Sequence, residues 1–188
     1  MAEFFDHIPE NLQAFIARQK VFFVATAAST GRISLSPKGM DSFRCLGPNR
    51  AAYLDLTGSG NETAAYLKAD GRVTLMWCSF DHQALILRLY GTGRAVQRGA
   101  QEWRELIGNF PDFPGARQIM LFDIGSVQTS CGYAVPRYEL IGERDILLKW
   151  ADNKSPEGVR AYQEQKNRIS IDGFDTGLGE ITGQDNKN

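Results

Sequence analysis

The sequence contains few residues of the types that bind metal ions or form disulfides. Its 188 residues include two histidines, His7 and His82, and three cysteines, Cys45, Cys78 and Cys131. The cysteines lie far apart and form no CxxC pair, which argues against a disulfide framework and a structural zinc site. We expect them to be buried free thiols, and we predict no metal site. A Ser-His-Asp triad would lack the GxSxG motif that usually carries its serine.

A strong net charge and a long apolar run are also missing. The formal net charge is -1, with 43% hydrophobic and 23% charged residues, which is typical of a globular protein and gives no general attraction for nucleic acids or membranes. No apolar run approaches the roughly 18 residues of a membrane-spanning helix. The N-terminal segment is acidic where a secretory signal would be basic. We therefore expect a cytoplasmic protein in which any binding of an anion is local.

The length and the even composition favour a single domain. We expect its main part to cover residues 1–150, and a C-terminal helix and polar arm, residues 151–188, to belong to the same domain. The helix is predicted over residues 154–168, with Ser155 as its cap and Pro156 in its first turn. The Gly-rich, polar end of the chain is predicted to be an arm.

Short strands joined by turns dominate the rest of the chain. Six are predicted, over residues 21–27, 32–36, 51–56, 73–80, 85–96 and 118–127, with short helices near 9–19, 61–69 and 100–107. We expect Pro37 to end the second strand, because proline cannot donate to a sheet ladder. Gly91 and Gly93 predict a bulge or bend. This order of elements favours a mainly β, α+β fold built on an antiparallel barrel over a parallel doubly wound sheet.

Two segments together predict a phosphate site. The run Ser34–Gly39 reads SLSPKG and places Lys38 at a strand end, and Asp55–Thr63 reads DLTGSGNET and leads into a helix. One fixed cation and a helix N-terminus with free N–H groups suit a phosphate, for which residues 58–63 would form the cradle. Two simpler interpretations stay open. In the first, Lys38 is a solvated surface lysine. In the second, Ser59–Glu62 is a capping box in which Glu62 reaches back to the N–H of the cap and no ligand is bound.

The order of motifs resembles the pyridoxamine 5'-phosphate oxidase-related family of FMN-binding split barrels. The similar segments are GRISLSPKG (31–39), YLDLTGSGNETAAYL (53–67), GRVTLMW (71–77), LRLYGTGRA (87–95), SCGYAVP (130–136) and KNRISIDGF (166–174). The resemblance implies a six-stranded antiparallel split β-barrel and a homodimer with FMN in a groove between the two subunits. It further implies a flavin-dependent oxidoreductase with a small-molecule substrate, and it names no catalytic residue.

The resemblance also implies a set of cofactor-binding residues, which are obtained by carrying the family's binding positions over to this sequence. They are Ser34, Leu35, Ser36, Pro37 and Lys38 on one strand, Leu56 and Thr57 on the next, and Gly60, Asn61, Glu62 and Thr63 at the phosphate.

Three aromatic residues, Trp77, Tyr90 and Tyr133, are candidates to cover the flavin ring. We favour Tyr133, because the neighbouring glycine allows the backbone to approach a ligand closely, and Trp77 also fits the core. Arg32 is either a second phosphate cation or an exposed hairpin residue. Arg88 should point away from its apolar neighbours, towards the rim or the ligand.

The chain departs from the founding oxidases at two places. Asn61-Glu62-Thr63 replaces a Ser-Arg-Lys run, and the arginine-containing C-terminal motif that holds the vitamin is absent from the sequence. The resemblance therefore does not extend to vitamin B6 oxidation. A deazaflavin or haem in the same barrel, and a flavin-binding module without catalysis, stay open as alternatives.

Overall fold

The computed structural model describes residues 2–180 and contains one antiparallel sheet of eight strands and four helices. The strands are β1 (Glu3–Phe5), β2 (Phe22–Thr26), β3 (Ser34–Lys38), β4 (Phe43–Gly47), β5 (Arg50–Leu56), β6 (Arg72–Cys78), β7 (Ile86–Gln97) and β8 (Ala116–Ser130). The helices are α1 (Glu10–Arg18), α2 (Glu62–Ala69), α3 (Gln101–Leu106) and α4 (Ile146–Lys166), and a 3-10 turn (Ile107–Asn109) follows α3.

The sheet curls into an incomplete barrel. Its strand order is β3-β2-β6-β7-β8-β5-β4, with β1 beside β8. Phe22 on β2 and Phe43 on β4 come from opposite ends of this order, yet their ring centroids are 5.2 Å apart. The two ends of the sheet therefore meet around a shared core. The predicted mainly β, antiparallel split barrel is confirmed, with β1 and β4 added to the six expected strands.

Apolar side chains at alternate positions of the strands form the core of the barrel. Val24 on β2, Leu75 on β6 and Leu87 and Leu89 on β7 are fully buried, and they belong to one apolar cluster. Branched and aliphatic side chains at every second position of a strand point to the same face of the sheet. The strands thus direct one continuous apolar surface inwards.

A second apolar cluster covers the outer face of β5 and β8. Trp103 on α3 and Phe110 after it are buried in this cluster, together with Leu54 and Ile119 on the two strands. Because α3 covers the outside while the barrel fills the inside, these parts of β5 and β8 are buried on both faces. Because of this double burial, the polar residues at the ends of these two strands are shielded from water. They are described below.

A bulge lies where the two long strands cross the barrel. Tyr90 pairs with Ser126 and Gly91 pairs with Ile124, so Gly125 is the extra residue on β8. A side chain at Gly91 would overlap the backbone of Asp123, which explains why glycine is required there. The bulge predicted from Gly91 and Gly93 is confirmed.

Two boundaries differ from the prediction. Pro37 does not end its strand, because β3 continues to Lys38 and Pro37 pairs with Phe23. β3 is an edge strand, and edges tolerate a residue without an N–H. The C-terminal helix starts earlier than expected, at Ile146.

The predicted cap Ser155 lies inside α4 and breaks it. Its φ of 61° and ψ of 162° divide the helix just before Pro156. The hydroxyl of Ser155 accepts a hydrogen bond from the Gly158 N–H at 3.3 Å, which confirms the cap. The start of the polar arm packs on the barrel, since Leu178 is buried, whereas residues 181–188 lie outside the described part.

Candidate functional site

A cavity of about 940 Å³ opens at the end of β3. Of the predicted cofactor-binding residues, Pro37, Lys38 and Thr57 line it, and Gly58 and Ser59 of the predicted cradle join them. The other walls come from Ile146, Leu147, Trp150 and Tyr162 on α4 and from six residues of the preceding segment, namely Tyr138, Glu139, Leu140, Gly142, Glu143 and Arg144. The cavity therefore lies between the lysine-bearing strand end and the C-terminal third of the chain.

The lining is mostly apolar, with charged groups at defined places. Apolar and aromatic walls are provided by Val21, Met40, Phe80, Tyr138, Leu140, Ile146, Leu147, Trp150 and Tyr162. Cations come from Arg18, Lys20, Lys38 and Arg144, and carboxylates from Asp81, Glu139 and Glu143. Cavities of 300 to 1,000 Å³ with apolar walls and a few polar groups are typical of small-molecule sites.

Lys38 belongs to a buried charge cluster. Its Nζ lies 3.6 Å from Oδ1 of Asp55, and it also lies over the ring of Tyr53 at 5.7 Å from the centroid. The other oxygen of Asp55 accepts hydrogen bonds from Arg117 Nη2 at 2.7 Å and Gln118 Nε2 at 2.9 Å. Because two cations face one carboxylate, the cluster carries one surplus positive charge at the cavity wall.

The electrostatics of this cluster keep Asp55 ionised. Burial opposes the charged form and by itself would raise the pKa of Asp55. The nearby charges of Arg117 and Lys38, together with hydrogen bonds from Gln118 and Arg117, outweigh burial and hold this pKa below its ordinary value of 3.8. Asp55 is therefore a fixed anion that holds two cations in place.

A β-bulge directs Arg117 into the cluster. Asp55 pairs with Gln118 and Leu56 pairs with Ala116, so Arg117 is the extra residue of β8. Bulges commonly change the direction of one side chain without ending the strand. Arg117 is only 4% exposed, and its Nη1 also donates to the carbonyl of Gly60 at 3.0 Å. Neither Arg117 nor Gln118 was predicted, because a strand pattern does not reveal where the extra residue falls.

The end of α4 holds the glycine-rich turn at the cavity. Gln163 Nε2 donates to the hydroxyl of Thr57 at 2.7 Å, and Asn167 Nδ2 donates to the carbonyl of Gly58 at 3.1 Å. The Thr57 hydroxyl in turn donates to the Gly115 carbonyl at 2.7 Å. This part of the turn is thus fixed from two sides and faces the cavity.

The second half of the turn faces the C-terminal segment instead. Asn61 is 2% exposed; its Nδ2 donates to the carbonyl of Asn167 at 3.2 Å and its Oδ1 accepts from Gln118 at 2.6 Å. Both carboxylate oxygens of Glu62 accept from the Ile171 N–H, at 3.1 and 3.2 Å. The structure places Gly60, Asn61, Glu62 and Thr63 outside the cavity lining.

The capping box was the wrong interpretation of this turn. Asn61 occupies the cap position of α2, no side chain caps the helix, and Glu62 bonds to Ile171 rather than back to Ser59. The partner of Glu62 lies 109 residues further along the chain, so a local pattern could not reveal it.

The other predicted residues lie around the cavity or apart from it. Ser34, Leu35 and Ser36 lie on the open edge strand β3, and Leu35 is 64% exposed. Leu56 ends β5, just before Thr57. Tyr133 is 85% exposed and does not line the cavity.

The remaining candidates have structural surroundings. Trp77 is buried in the barrel core, and the Tyr90 hydroxyl donates to Gln128 at 2.7 Å. Arg88 points away from the buried Leu87 and Leu89 and donates to Ser130 at 3.2 Å.

Arg32 is an exposed hairpin residue paired with Asp172, and it is not in the cavity lining. The expectation of buried thiols is wrong for Cys131, which is exposed. Burial raises the pKa of the half-buried Cys45 to about 11.

Residues 2–180 contain neither a cluster of metal-binding side chains nor a membrane-spanning helix. This part of the chain has no group of three or more histidine, cysteine, aspartate or glutamate side chains that could hold a metal ion. None of its helices combines the length and the apolar character needed to cross a bilayer.

Comparison with known proteins decides the family. The profile of pyridoxamine 5'-phosphate oxidase matches residues 8–131. The pyridoxamine 5'-phosphate oxidase family protein ustO of Aspergillus flavus is 36% identical over 93% of this chain and 77% of its own length. The chain belongs to the pyridoxamine 5'-phosphate oxidase family. The profile match ends at Cys131, so the cavity walls from Tyr138 onwards lie outside the part of the chain that the profile covers.

Two solved structures share the fold of this pyridoxamine 5'-phosphate oxidase family member. A Lactobacillus delbrueckii protein assigned by name to the same oxidase is 21% identical, with a TM-score of 0.53 over 65% of this chain and 94% of the other. A tagged HupZ variant from Group A Streptococcus is 17% identical, with a TM-score of 0.51 over 65% and 99% of the two chains. At these identities the similarity supports the split-barrel fold alone.

Proposed function

We propose that the protein is an FMN-dependent oxidoreductase that binds the flavin at the cavity beside Lys38. The observation that carries this proposal is the surplus positive charge of Lys38 at the wall of a mostly apolar cavity. FMN combines a planar, largely apolar ring with a phosphate, so it needs both features in one place. When bound, a flavin supplies hydride or electron transfer, and the protein binds and orients it.

The residues present fit this cofactor. Lys38 would neutralise the phosphate, and Thr57, Gly58 and Ser59 would contribute a hydroxyl or backbone groups nearby. Pro37 lies next to Lys38 in the same wall, and Ser34, Leu35 and Ser36 would extend the contact along β3. The proposed phosphate site uses the first half of the turn and leaves Gly60 to Thr63 to hold the C-terminal segment.

The cofactor would lie between two copies of the chain. β3 is an open edge of the sheet, and Ile33, just before it, and Leu35, on it, are 77% and 64% exposed. Exposed edges with apolar side chains are favourable places for a second copy to bind. This supports a homodimer in which the partner completes the groove.

Purification of the recombinant protein tests the proposal directly. A bound flavin gives a yellow protein with the flavin absorption bands, and mass spectrometry of the released cofactor distinguishes FMN from FAD or a deazaflavin. A Soret band would instead indicate haem, although neither His7 nor His82 lines the cavity as an iron ligand. A colourless protein that cannot be reconstituted with FMN would contradict the proposal.

Activity requires a second measurement on the same sample. Reduction of the bound flavin by NADH or NADPH without air, followed by reoxidation by an acceptor, would support an oxidoreductase. A flavin that stays oxidised with every donor and acceptor tested would indicate a binding module without catalysis. Light scattering at the same concentration reports whether the yellow species is a dimer.

A further inference from the structure

The end of the C-terminal helix touches the wall of the cavity from behind. Gln163 lies in the last turn of α4 and Asn167 follows at its C-cap position, and neither residue lines the cavity beside Lys38. Gln163 donates to the side chain of Thr57, and Asn167 donates to the backbone of Gly58. Because Thr57 and Gly58 do line the cavity, α4 acts on the cavity through these two contacts.

The bond from Gln163 fixes the direction of the Thr57 hydroxyl. This hydroxyl accepts from Gln163 and donates its proton to the Gly115 carbonyl, and the Thr57 N–H bonds to the same carbonyl at 2.9 Å. A hydroxyl has only one proton, so Thr57 has no side-chain donor left for an anion in the cavity. The buried Thr57 therefore serves to hold the start of the turn.

Asn167 fixes the peptide unit that joins Gly58 to Ser59. Asn167 is fully buried, and its own carbonyl accepts hydrogen bonds from Asn61 at 3.2 Å and Thr176 at 2.7 Å, which hold it in place. The carbonyl and the N–H of a trans peptide point in opposite directions. Since Asn167 binds the Gly58 carbonyl, the Ser59 N–H points away from Asn167.

Two backbone donors of the turn have no protein partner within residues 2–180. They are the N–H groups of Gly58 and Ser59, and both residues line the cavity. Backbone N–H groups and a nearby cation are a recurring combination in phosphate sites. Lys38 supplies such a cation in the same lining.

We infer that Gln163 and Asn167 are positioning residues for the phosphate of the cofactor. They hold the start of the glycine-rich turn so that the N–H groups of Gly58 and Ser59 face an anion beside Lys38. The inference rests on the proposed function, because that proposal assigns this wall to the phosphate. It adds that side chains beyond residue 131, outside the profile match, determine how tightly the phosphate is held.

The affinities of the apoprotein for FMN and for riboflavin, its analogue without the phosphate, test the inference. Gln163→Met nearly preserves the size of the side chain and removes its donor. FMN affinity should fall about three- to tenfold, while riboflavin affinity should stay within about twofold. A side chain with a purely structural role would lower both affinities equally. The control is Gln165→Met on the same helix, an exposed position outside the cavity lining, which should change neither affinity.

A double-mutant cycle tests whether Gln163 acts through Thr57. Thr57→Val removes the hydroxyl that accepts from Gln163, so it should cause a similar selective loss of FMN affinity. The Gln163→Met, Thr57→Val double variant should then lose no more than either single variant. Losses that multiply in the double variant would overturn the positioning role of Gln163.

Amide chemical shifts report on the two backbone donors directly. In isotopically labelled protein, FMN should move the amide protons of Gly58 and Ser59 downfield, and riboflavin should not. Asn167→Leu should reduce this shift. Gln163 is only half-buried, so Gln163→Met provides the same test if the variant at the buried Asn167 fails to fold. Gly58 and Ser59 amides that stay unchanged when FMN binds would overturn the inference.

The outcomes separate this inference from the proposed function. FMN affinity that falls in Lys38→Met but not in Gln163→Met would overturn the inference and leave the proposed function in place. A wild-type protein that binds no FMN would overturn both.

Discussion

Asp55 and Arg117 form an ion pair that is almost completely removed from solvent. Arg117 Nη2 lies 2.7 Å from Asp55 Oδ2, and the two side chains are 3% and 2% exposed. Lys38 approaches the other carboxylate oxygen at 3.6 Å and is 27% exposed. Since Arg117 already balances Asp55, Lys38 brings an unshared positive charge to the cavity. The pair thus determines both the position and the electrostatic role of the lysine.

The Asp55→Asn substitution tests the importance of this pair for folding. It leaves the charges of Arg117 and Lys38 without their carboxylate, and breaking a buried pair in this way typically destabilises a protein by about 3 to 5 kcal/mol. Urea unfolding at neutral pH measures the loss. Asp112→Asn, at an exposed acid, is the control and should stay within about 0.5 kcal/mol of wild type.

The same pair predicts a pH dependence. The pKa of Asp55 is lower in the folded chain than its ordinary value of 3.8, so the unfolded chain takes up the proton first as the pH falls. The stabilisation from Asp55 is therefore complete above that ordinary pKa and is lost as the pH falls through the lowered, folded value. The stability difference between wild type and Asp55→Asn should be constant from pH 7 to 5 and shrink below about pH 4. A difference that grows on acidification would contradict this assignment.

Gly91→Ala and Gly125→Ala form a matched pair at the β7–β8 bulge. A methyl group at Gly91 would overlap the backbone of Asp123, whereas a methyl group at Gly125 meets no atom within 4 Å. We expect Gly91→Ala to destabilise the fold by about 3 kcal/mol or more. Gly125→Ala should be neutral or stabilising by up to about 1 kcal/mol, because alanine loses less backbone entropy on folding. Thermal or urea unfolding of both variants measures the contrast.

Tyr66→Phe tests how the C-terminal segment is fastened. The Tyr66 hydroxyl donates to Asp172 at 2.6 Å, and burial together with this carboxylate raises the pKa of Tyr66 to about 12. Loss of this bond should speed hydrogen exchange of the amides of residues 170–176 by roughly tenfold. Tyr90→Phe removes a hydroxyl contact to Gln128 instead and should leave this segment unchanged. Equal exchange in wild type and Tyr66→Phe would show that other contacts hold the segment.

Much of the fold could be predicted because its signals are local. Alternating apolar residues indicated six strands, and Gly91 indicated the bulge. β4 was missed because its five residues FRCLG are half-buried throughout and carry no clear alternation. β1 was missed because it is three residues long and gains its structure only by pairing with β8.

The site could be predicted only in part. Lys38 and Thr57 were predicted because a strand end and a glycine-rich turn are visible in the sequence, and the structure places both in the cavity lining. Arg117 enters through a bulge, and Asn167 is 109 residues from its partner Gly58. Neither arrangement leaves a local pattern. For Glu62, the sequence pattern suggested a bond to the nearby cap residue Ser59. Its actual partner is the backbone N–H of Ile171, which only the fold brings near.

The central claim is that Lys38 binds the phosphate of FMN in this cavity. Titration of the apoprotein with FMN and with riboflavin, which lacks the phosphate, separates this contact from binding of the ring. For Lys38→Met, FMN affinity should fall by about 1 to 3 kcal/mol, while riboflavin affinity stays within about 0.5 kcal/mol. Lys149→Met, at an exposed lysine paired with Asp145, is the control and should change neither. Equal losses for FMN and riboflavin, or unchanged FMN affinity in Lys38→Met, would contradict the account.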